Sequence, residues 1–314
     1  MLFERRALWP AVLFLLSACA GAPPRIDAPG DAVELSAVPF FAQTEHHCGP
    51  AALATMLAAQ GVAVTPDQLS PLIYIPGREG TLQAEMIAAT RRYDRLPLRL
   101  EPTPEAVIAA LHEGQPVLLL QNLGFRRWPA WHYAVAVGYE PEASSFILRS
   151  GTEQRLTTGL RRFLQTWDRA DRWAFVSVEP DQVPANATPE AWLAAAAPFE
   201  SLGRIDVAER AYKAALDRWP SSSLAWQGLA NTRYAANDKP AAEAALQKAV
   251  ELDPASVTAR NNLASVLLER GCVTAARAQL EAVGRVPGAL AKAVEQTRRD
   301  VDSVGTREDA SGCP

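Results

Sequence analysis

The spacing of apolar positions divides the chain into two regions. From Val33 to Pro180, short apolar runs of strand length alternate with segments in which apolar residues recur at helical spacing. From about Thr188 onward the chain is alanine-rich and helical throughout. A proline-containing linker, 181–187, lies between the two regions. The pattern predicts an α+β domain over 33–180 followed by an all-α domain, and the chain is long enough for both.

Individual elements of the first region follow from the same pattern. Leu53, Met56 and Leu57 share one helical face and Gly61 ends the run, which predicts a helix that begins at or just after Cys48. Strand-like apolar runs occupy 38–41, 116–120, 128–139 and 146–151. The last two are separated by a turn at 141–144, so we expect them to pair antiparallel.

The second region repeats itself at an interval of 34 residues. Gly203, Asn237 and Gly271 share this interval, and the same spacing links three alanines, three bulky residues, two tryptophans and two prolines (208/242/276, 212/246/280, 192/226 and 220/254). The pattern resembles the tetratricopeptide repeat, with units at 188–221, 222–255 and 256–289 and a C-terminal helix and tail at 290–314. An irregular alanine-rich bundle is the alternative. The resemblance implies a protein partner bound in the groove of the repeats.

Composition excludes several classes of function. The full chain is 48% hydrophobic and 21% charged, with a formal net charge of −4 and no basic stripe. Nucleic acid is therefore not an expected partner. The sequence has no glycine-rich phosphate loop and predicts no cofactor. Consecutive His46 and His47 cannot easily join Cys48 around one ion, so no metal site is predicted either.

The N-terminus has the pattern of an export signal. Arg5 and Arg6 precede an apolar stretch, 7–16, that is too short for a permanent membrane span. The following Leu-Ser-Ala-Cys (16–19) resembles a bacterial lipobox, which implies a signal peptide at 1–18, lipidation of Cys19 and a tether at 19–32. An ordinary secretory signal is the alternative. Ala20 in place of aspartate suggests the outer membrane, facing the periplasm, with lipid as the only membrane contact.

The remaining cysteines have different surroundings. Cys272 and Cys313 lie in the C-terminal part and can form a disulfide in an oxidising periplasm, although the sequence does not show that they approach each other. Cys48 stands alone in a Gly-Pro turn at a helix N-terminus, where backbone amides and the helix dipole are expected to lower the thiol pKa. A reactive nucleophile and a buried structural cysteine both remain open on this basis.

A histidine in the predicted sheet suggests the partner for this thiol. His132 opens the strand at 128–139, where its side chain can project from the sheet end into a cleft. Two neighbouring segments are further candidates for cleft residues. The turn-rich loop 76–80 either borders the cleft or is an ordinary surface loop, and Asn122, Arg126 and Arg127 precede the histidine strand.

Three motifs together carry a family resemblance. Gln43 with Cys-Gly-Pro-Ala-Ala-Leu (48–53), Gly-Gln-Pro-Val (114–117) and Trp-His-Tyr-Ala-Val-Ala-Val-Gly-Tyr (131–139) resemble the bacteriocin-leader-processing, double-glycine branch of papain-like cysteine peptidases, over about 36–178. The resemblance implies that Cys48 is the nucleophile and His132 the general base and later acid. It also implies that Gln43 and the backbone N–H of Cys48 stabilise the oxyanion.

Two departures from that family leave alternatives open. The family has one more residue between the glutamine and the cysteine. It also has an Asp or Asn on the strand after the histidine, where the matching stretch here, Leu-Arg-Ser-Gly (148–151), offers no carboxylate. Ser150 or a backbone carbonyl is then expected to accept the imidazole N–H. The leading hypothesis is a lipid-anchored cysteine peptidase acting on a peptide or protein substrate. The alternatives are a catalytically inactive adaptor and related thiol chemistry, such as acyl transfer or amide hydrolysis on a cell-wall peptide.

Overall fold

The computed structural model describes residues 26, 31–43, 47–284, 286–305 and 309–313. The predicted signal peptide, Cys19 and most of the tether lie outside these residues, so lipidation stays a prediction. Within the described ranges, none of the helices combines the length and apolarity that a membrane span requires.

The first region is α+β, as predicted. Its elements in chain order are β1 (Val33–Glu34), α1 (Cys48–Ala58), α2 (Pro66–Ile73), β2 (Tyr74–Ile75), β3 (Gly80–Thr81), α3 (Gln83–Arg92), β4 (Leu96–Arg99), α4 (Pro104–His112), β5 (Val117–Asn122), β6 (Trp131–Glu140), β7 (Ser145–Ser150), β8 (Glu153–Gly159), α5 (Leu160–Asp168) and β9 (Ala174–Val178). The main sheet is antiparallel in the order β4-β9-β5-β6-β7-β8, and β1 pairs with part of β6.

Helices cover both faces of this sheet, which is why its central strands are continuous apolar runs. Alternate residues of β5 point to opposite faces. Leu118 and Leu120 pack in one apolar cluster with Leu53 and Met56 of α1. Val117 and Leu119 pack in the other cluster, against α4 and α5. The cluster around α1 fixes the position of the helix that begins at Cys48.

The strand predicted at 38–41 is wrong. This segment has no sheet partner, and β1 pairs with β6 instead through Val33 and Glu34. Pro39 has no N–H to contribute to a ladder. The Val38 carbonyl instead accepts a hydrogen bond from the buried Arg149 guanidinium at 3.4 Å. The segment therefore runs past the sheet and leads the chain to Gln43.

The second region consists of stacked helices. These are α6 (Pro189–Ala196), α7 (Pro198–Ser201), α8 (Ile205–Arg218), α9 (Ser223–Ala235), α10 (Lys239–Leu252), α11 (Val257–Glu269), α12 (Val273–Val283) and α13 (Leu290–Val304). Gly203, Asn237 and Gly271 lie in the turns before α8, α10 and α12, and all have left-handed φ angles of 70°, 61° and 83°. The interval of 34 residues therefore marks one repeated turn. Pro198 divides the first helix of the first repeat into α6 and α7.

One apolar core crosses the boundary between the two regions. Trp192 of α6 and Phe199 of α7 are fully buried in the same cluster as Leu96 of β4 and Val178 of β9. Helix α6 packs on β4, so it covers an edge strand of the main sheet. The first region and the first repeat therefore meet through a buried interface, although the segment that joins them, 179–188, has no helix or strand.

Ion pairs surround this interface. The Arg204 guanidinium pairs with the Asp94 carboxylate across the interface, and the Arg95 guanidinium of the first region lies 2.5 Å from the Glu179 carboxylate beside it. Partly exposed ion pairs contribute little to stability. We therefore attribute the stability of the interface mainly to the apolar core beneath them.

The C-terminal tail returns to the start of α12. Cys272 and Cys313 form a disulfide, which decides the alternative that the sequence left open. The Asp309 carboxylate accepts a hydrogen bond from the Thr274 N–H at 3.0 Å, and so satisfies one of the unpaired amides at this helix N-terminus. Helix α13 packs against α11 and α12, and its Val301 is buried in the apolar core of the last repeats. The last repeat is therefore covered by the chain's own C-terminus.

Candidate active site

Three of the predicted site residues line one cleft. The cavity has a volume of about 740 Å³ and lies where the start of α1 meets the start of β6. Cys48, His132 and Gln43 all contribute to its wall, together with Thr81 and Leu120. A concave site of this size that combines apolar walls with a few polar groups is suited to bind a ligand.

Close packing fixes the position of the Cys48 thiol. A β-carbon at Gly49 would lie only 2.4 Å from Thr81 Oγ1, so only glycine lets β3 approach the start of α1 this closely. The Thr81 carbonyl in turn accepts a hydrogen bond from the Tyr133 hydroxyl at 3.1 Å. On the other side, the His47 ring stacks on Tyr74, with ring centroids 4.9 Å apart. The start of α1 is thereby held between the β2–β3 hairpin and β6.

The prediction that the Cys48 thiol pKa is lowered is wrong in direction. Burial raises this pKa above its ordinary value, and hydrogen bonds from the backbone N–H groups of Tyr133, Gly49 and Cys48 itself oppose the rise only in part. The helix N-terminus therefore has the expected effect, but desolvation of the thiolate outweighs it. In the absence of substrate the thiol is protonated at neutral pH.

His132 contacts Ser150, one of the two groups that the sequence left open as a partner for the imidazole. Its Nε2 lies 2.8 Å from Ser150 Oγ. Val135 of β6 pairs with Arg149 of β7, so Ser150 and His132 are diagonal neighbours on one face of the two strands. Ser150 is itself buried at the end of β7. Burial lowers the pKa of His132, which makes its imidazole neutral at neutral pH.

Gln43 lies beside the cleft but its side chain has a backbone partner. Its Nε2 donates a hydrogen bond to the Tyr133 carbonyl at 3.3 Å, and its backbone N–H donates to the Gly151 carbonyl at 3.0 Å. A side-chain amide has two N–H donors, so one remains for a second acceptor. The strand-end residues Tyr133 and Gly151 thus hold Gln43 next to the two predicted reactive groups.

The structure shows which of the other candidate residues line the cleft. Arg78, Glu79 and Gly80 line the cavity, so the loop 76–80 borders the cleft. Asn122, Arg126 and Arg127 are not among the lining residues, and Asn122 is instead buried beneath the loop that follows it.

Sequence reasoning missed several contributors to the cleft wall. Leu82 and Gln83 follow β3, and Asp171 lies in the turn before β9 with a left-handed φ of 51°. Asp171 contributes a carboxylate that no motif indicated. Its position depends on the sheet order, which brings the turn before β9 next to the end of β5.

Comparisons with known proteins agree with this architecture. Residues 35–174 match the Peptidase C39-like family, and residues 193–256 and 228–289 match the tetratricopeptide repeat. No curated protein matches the chain significantly in sequence.

Two solved structures are similar to parts of the chain. A crystal structure from Bacillus anthracis, of a protein described as a C39-like peptidase, has 18% sequence identity and a TM-score of 0.40, and the match covers 48% of this chain and 98% of that one. The TPR2B domain of yeast Sti1, in a complex with pHsp70, has 20% identity and a TM-score of 0.35, and covers 37% of this chain and 97% of that one. The two family matches identify residues 35–174 as a Peptidase C39-like domain and residues 193–289 as tetratricopeptide repeats.

Proposed function

We propose that this protein is a cysteine peptidase that hydrolyses peptide bonds with Cys48 as nucleophile and His132 as general base. The observation that carries the proposal is the arrangement of the cleft. Cys48 and His132 line the same cavity, and His132 Nε2 is held 2.8 Å from Ser150 Oγ. A nucleophile, a base and a group that orients the base are the parts that nucleophilic catalysis requires.

The pKa shifts indicate how the first step proceeds. Because burial keeps both the thiol and the imidazole neutral, the proton leaves Cys48 as Sγ attacks the scissile carbonyl carbon. Ser150 engages Nε2, so Nδ1 of His132 is the nitrogen that accepts this proton. The carbonyl π electrons move onto the oxygen, where the Cys48 backbone N–H and the free Nε2 proton of Gln43 stabilise the oxyanion.

The remaining steps use the same residues. His132 returns the proton to the amine nitrogen as the C–N bond breaks, which leaves a thioester on Cys48. Water then attacks the thioester carbonyl while His132 accepts a proton from the water, and the Cys48 thiol leaves with that proton. The net change is the addition of one water molecule across one peptide bond.

The repeats are proposed to recruit a protein partner or substrate. Two observations support a fixed relation between recruitment and cleavage. The apolar core that contains Trp192 and Phe199 continues into the peptidase-like domain, and α6 covers β4. A partner bound in the repeats is then held at a constant orientation relative to the cleft, which raises its effective concentration there.

We further propose that the protein is anchored by lipid at Cys19 to the outer membrane and faces the periplasm. The support is the lipobox-like Leu-Ser-Ala-Cys (16–19), with Ala20 after it. Membrane fractionation of cells that express the native chain or Cys19→Ser tests this proposal. The native chain is expected with outer membranes and the variant in a soluble or signal-retained form. An unchanged distribution of Cys19→Ser would contradict it.

Product analysis tests the proposed activity. The purified native chain, Cys48→Ala and His132→Ala are each incubated with a peptide library, and mass spectrometry identifies the products. New free carboxyl and amino termini are expected with the native chain alone. Products that retain an acyl group on a second nucleophile would indicate acyl transfer instead. No products from any form, with retained binding of a partner to the repeats, would support the inactive adaptor, which the neutral Ser150 favours as the second candidate.

A further inference from the structure

The connection between β5 and β6, together with the first residue of β6, exposes several large apolar side chains. Leu123, Phe125, Trp128 and Trp131 are 50%, 74%, 72% and 55% exposed, and they lie within nine consecutive residues. We refer to these four residues, three of which are aromatic, as the aromatic rim. Single exposed apolar residues are common, but a contiguous group of this kind marks an interaction surface.

The backbone that carries the aromatic rim is held by many hydrogen bonds. The buried Asn122 carboxamide oxygen accepts hydrogen bonds from the N–H groups of Gly124 and Ala130, both at 3.0 Å. Phe125 and Trp128 exchange two backbone hydrogen bonds of 3.1 Å. The Arg169 guanidinium also donates hydrogen bonds to the backbone carbonyls of Asn122 and Gly124.

Close approach at Gly124 adds to this rigidity. A β-carbon at Gly124 would lie 2.4 Å from the Trp128 carbonyl oxygen, so the loop can close this tightly only with glycine. The backbone positions from which these side chains project are therefore fixed before any partner binds. Rigid aromatic side chains lose little conformational entropy on binding, which suits them as anchors.

The rim is continuous with the cleft. Pro129, Ala130 and Trp131 form part of the cavity wall that also contains Cys48 and His132. A ligand that occupies the cleft and extends past Trp131 can therefore reach the other exposed side chains of the same loop. Because the rim and the cleft are continuous, we infer that the molecule that binds the rim is the one that binds in the cleft.

We propose that the aromatic rim binds large apolar side chains of the peptide substrate, on the segment adjacent to the scissile bond. This inference rests on the proposed function, because it assumes that the cleft binds a peptide. A lipid surface is the other occupant that the composition of the loop suggests, since Arg126 and Arg127 lie among the aromatic residues and 123–131 has no acidic residue. A bilayer against Trp131 would close the cleft entrance, and for this reason we favour the peptide.

Binding to a form that cannot turn over tests the proposal separately from catalysis. Cys48→Ala is titrated with two fluorescein-labelled decapeptides, one with Leu and Phe at its central positions and one with Ser there, and anisotropy gives both Kd values. We expect the apolar peptide to bind at least ten-fold more tightly. Phe125→Ser and Trp128→Ser, each combined with Cys48→Ala, are expected to reduce this preference to less than three-fold. Leu202→Ser removes a similarly exposed apolar residue, 57% exposed on the repeats, and is the matched control.

The other outcomes are distinguishable. A preference that persists in both rim variants, or absence of any peptide binding, overturns the proposal. Co-sedimentation with vesicles of phosphatidylethanolamine and phosphatidylglycerol is measured in parallel. Loss of vesicle binding in the rim variants with an unchanged peptide preference would assign the rim to the membrane. If the rim variants lose the preference for the apolar peptide but the native chain cleaves no peptide, the rim is a binding site for apolar side chains and the proposed peptidase activity is refuted. Thermal unfolding of each variant verifies that it is folded.

Discussion

His132 Nε2 and Ser150 Oγ lie 2.8 Å apart at the ends of two neighbouring strands. The resemblance noted in the sequence implies an imidazole and an Asp or Asn at this place. A neutral hydroxyl fixes the orientation of the ring but adds no charge that would stabilise an imidazolium. The arrangement therefore agrees with a histidine that is neutral at rest and whose pKa is lowered by burial.

Loss of this hydroxyl is expected to lower kcat/KM modestly. A neutral hydrogen bond contributes about 0.5–1.5 kcal/mol, which corresponds to roughly a 2- to 13-fold decrease for Ser150→Ala. Ser150→Thr keeps the hydroxyl and is the matched control, with a smaller decrease expected. Steady-state kinetics on a cleaved peptide measure both. An unchanged kcat/KM in Ser150→Ala would show that Ser150 does not orient His132.

The pH dependence of Cys48 alkylation distinguishes a neutral pair from a preformed ion pair. Because burial raises the thiol pKa, the thiolate fraction at pH 7 is smaller than for a free cysteine, and it increases only as the pH rises through the raised pKa. Iodoacetamide labelling at Cys48, measured by mass spectrometry, is therefore expected to be slow at pH 7 and to accelerate in alkaline solution. Rapid labelling that continues below pH 7 and weakens in His132→Ala would instead demonstrate a thiolate–imidazolium pair.

Hydrolysis is expected to have a different pH profile from alkylation. The reaction needs a neutral imidazole to accept the proton, and the lowered pKa of His132 keeps it neutral to a lower pH than an ordinary histidine. It also needs a protonated thiol, because that proton is later given to the leaving amine, and the raised pKa of Cys48 extends this requirement to higher pH. The pH range over which kcat/KM is constant should therefore be wider than the interval between the ordinary pKa values of histidine and cysteine. A narrow bell around neutral pH would contradict the neutral pair.

Much of the fold follows from local sequence. The β5 and β7 strands were predictable because they are short apolar runs buried on both faces, and β6 because a long apolar run follows His132. The repeat turns were predictable because Gly203, Asn237 and Gly271 recur where a left-handed conformation is needed. Ser150 was a candidate from its place on the strand after the histidine.

The features that sequence reasoning missed depend on distant contacts. The direction of the Cys48 pKa shift depends on how deeply α1 is packed against the sheet, which no local motif records. The segment 38–41 is apolar like a strand, but its Val38 carbonyl accepts a hydrogen bond from Arg149, more than a hundred residues later. The core shared by Trp192 and Leu96 was equally unpredictable, because each residue is typical of its own helix or strand.

Substitution of Gly49 by alanine is expected to destabilise the cleft, although alanine is the better helix former. The new β-carbon would lie 2.4 Å from Thr81 Oγ1 and 2.6 Å from Thr81 Cβ, so β3 must move. Overpacking of this kind costs about 1–3 kcal/mol, against a helix-propensity gain of about 1 kcal/mol for Gly→Ala. Chemical denaturation should show a net loss. Thr81→Gly removes the clashing atoms. If the contact is the cause, Gly49→Ala should cost less stability in the Thr81→Gly background than in the native chain. Equal costs in the two backgrounds would refute the contact.

The interface between the two domains predicts that a repeat residue supports the stability of the peptidase domain. Trp192 is fully buried in the core that includes β4, and its indole N–H donates to the Ala211 carbonyl at 2.8 Å. Trp192→Ala is expected to cost about 3–5 kcal/mol and to increase hydrogen exchange in β4 and β9. Trp226→Ala alters the equivalent position of the next repeat and should leave exchange in those strands unchanged. Equal effects of both variants on β4 would exclude a specific interface.

The disulfide of the C-terminal tail should stabilise the last repeat under oxidising conditions only. Cys272 and Cys313 are separated by 41 positions, and closing a loop of that length stabilises by about 4 kcal/mol in the chain-entropy treatment. Cys313→Ser is expected to lower the denaturation midpoint of the repeats in non-reducing buffer, and dithiothreitol should lower that of the native chain by a similar amount. The variant itself should not respond to dithiothreitol, because Cys48 is the remaining described cysteine outside this pair and is not in a disulfide. A native chain that is equally stable with and without reductant would show that the tail is held by α13 and the contacts of Asp309 alone.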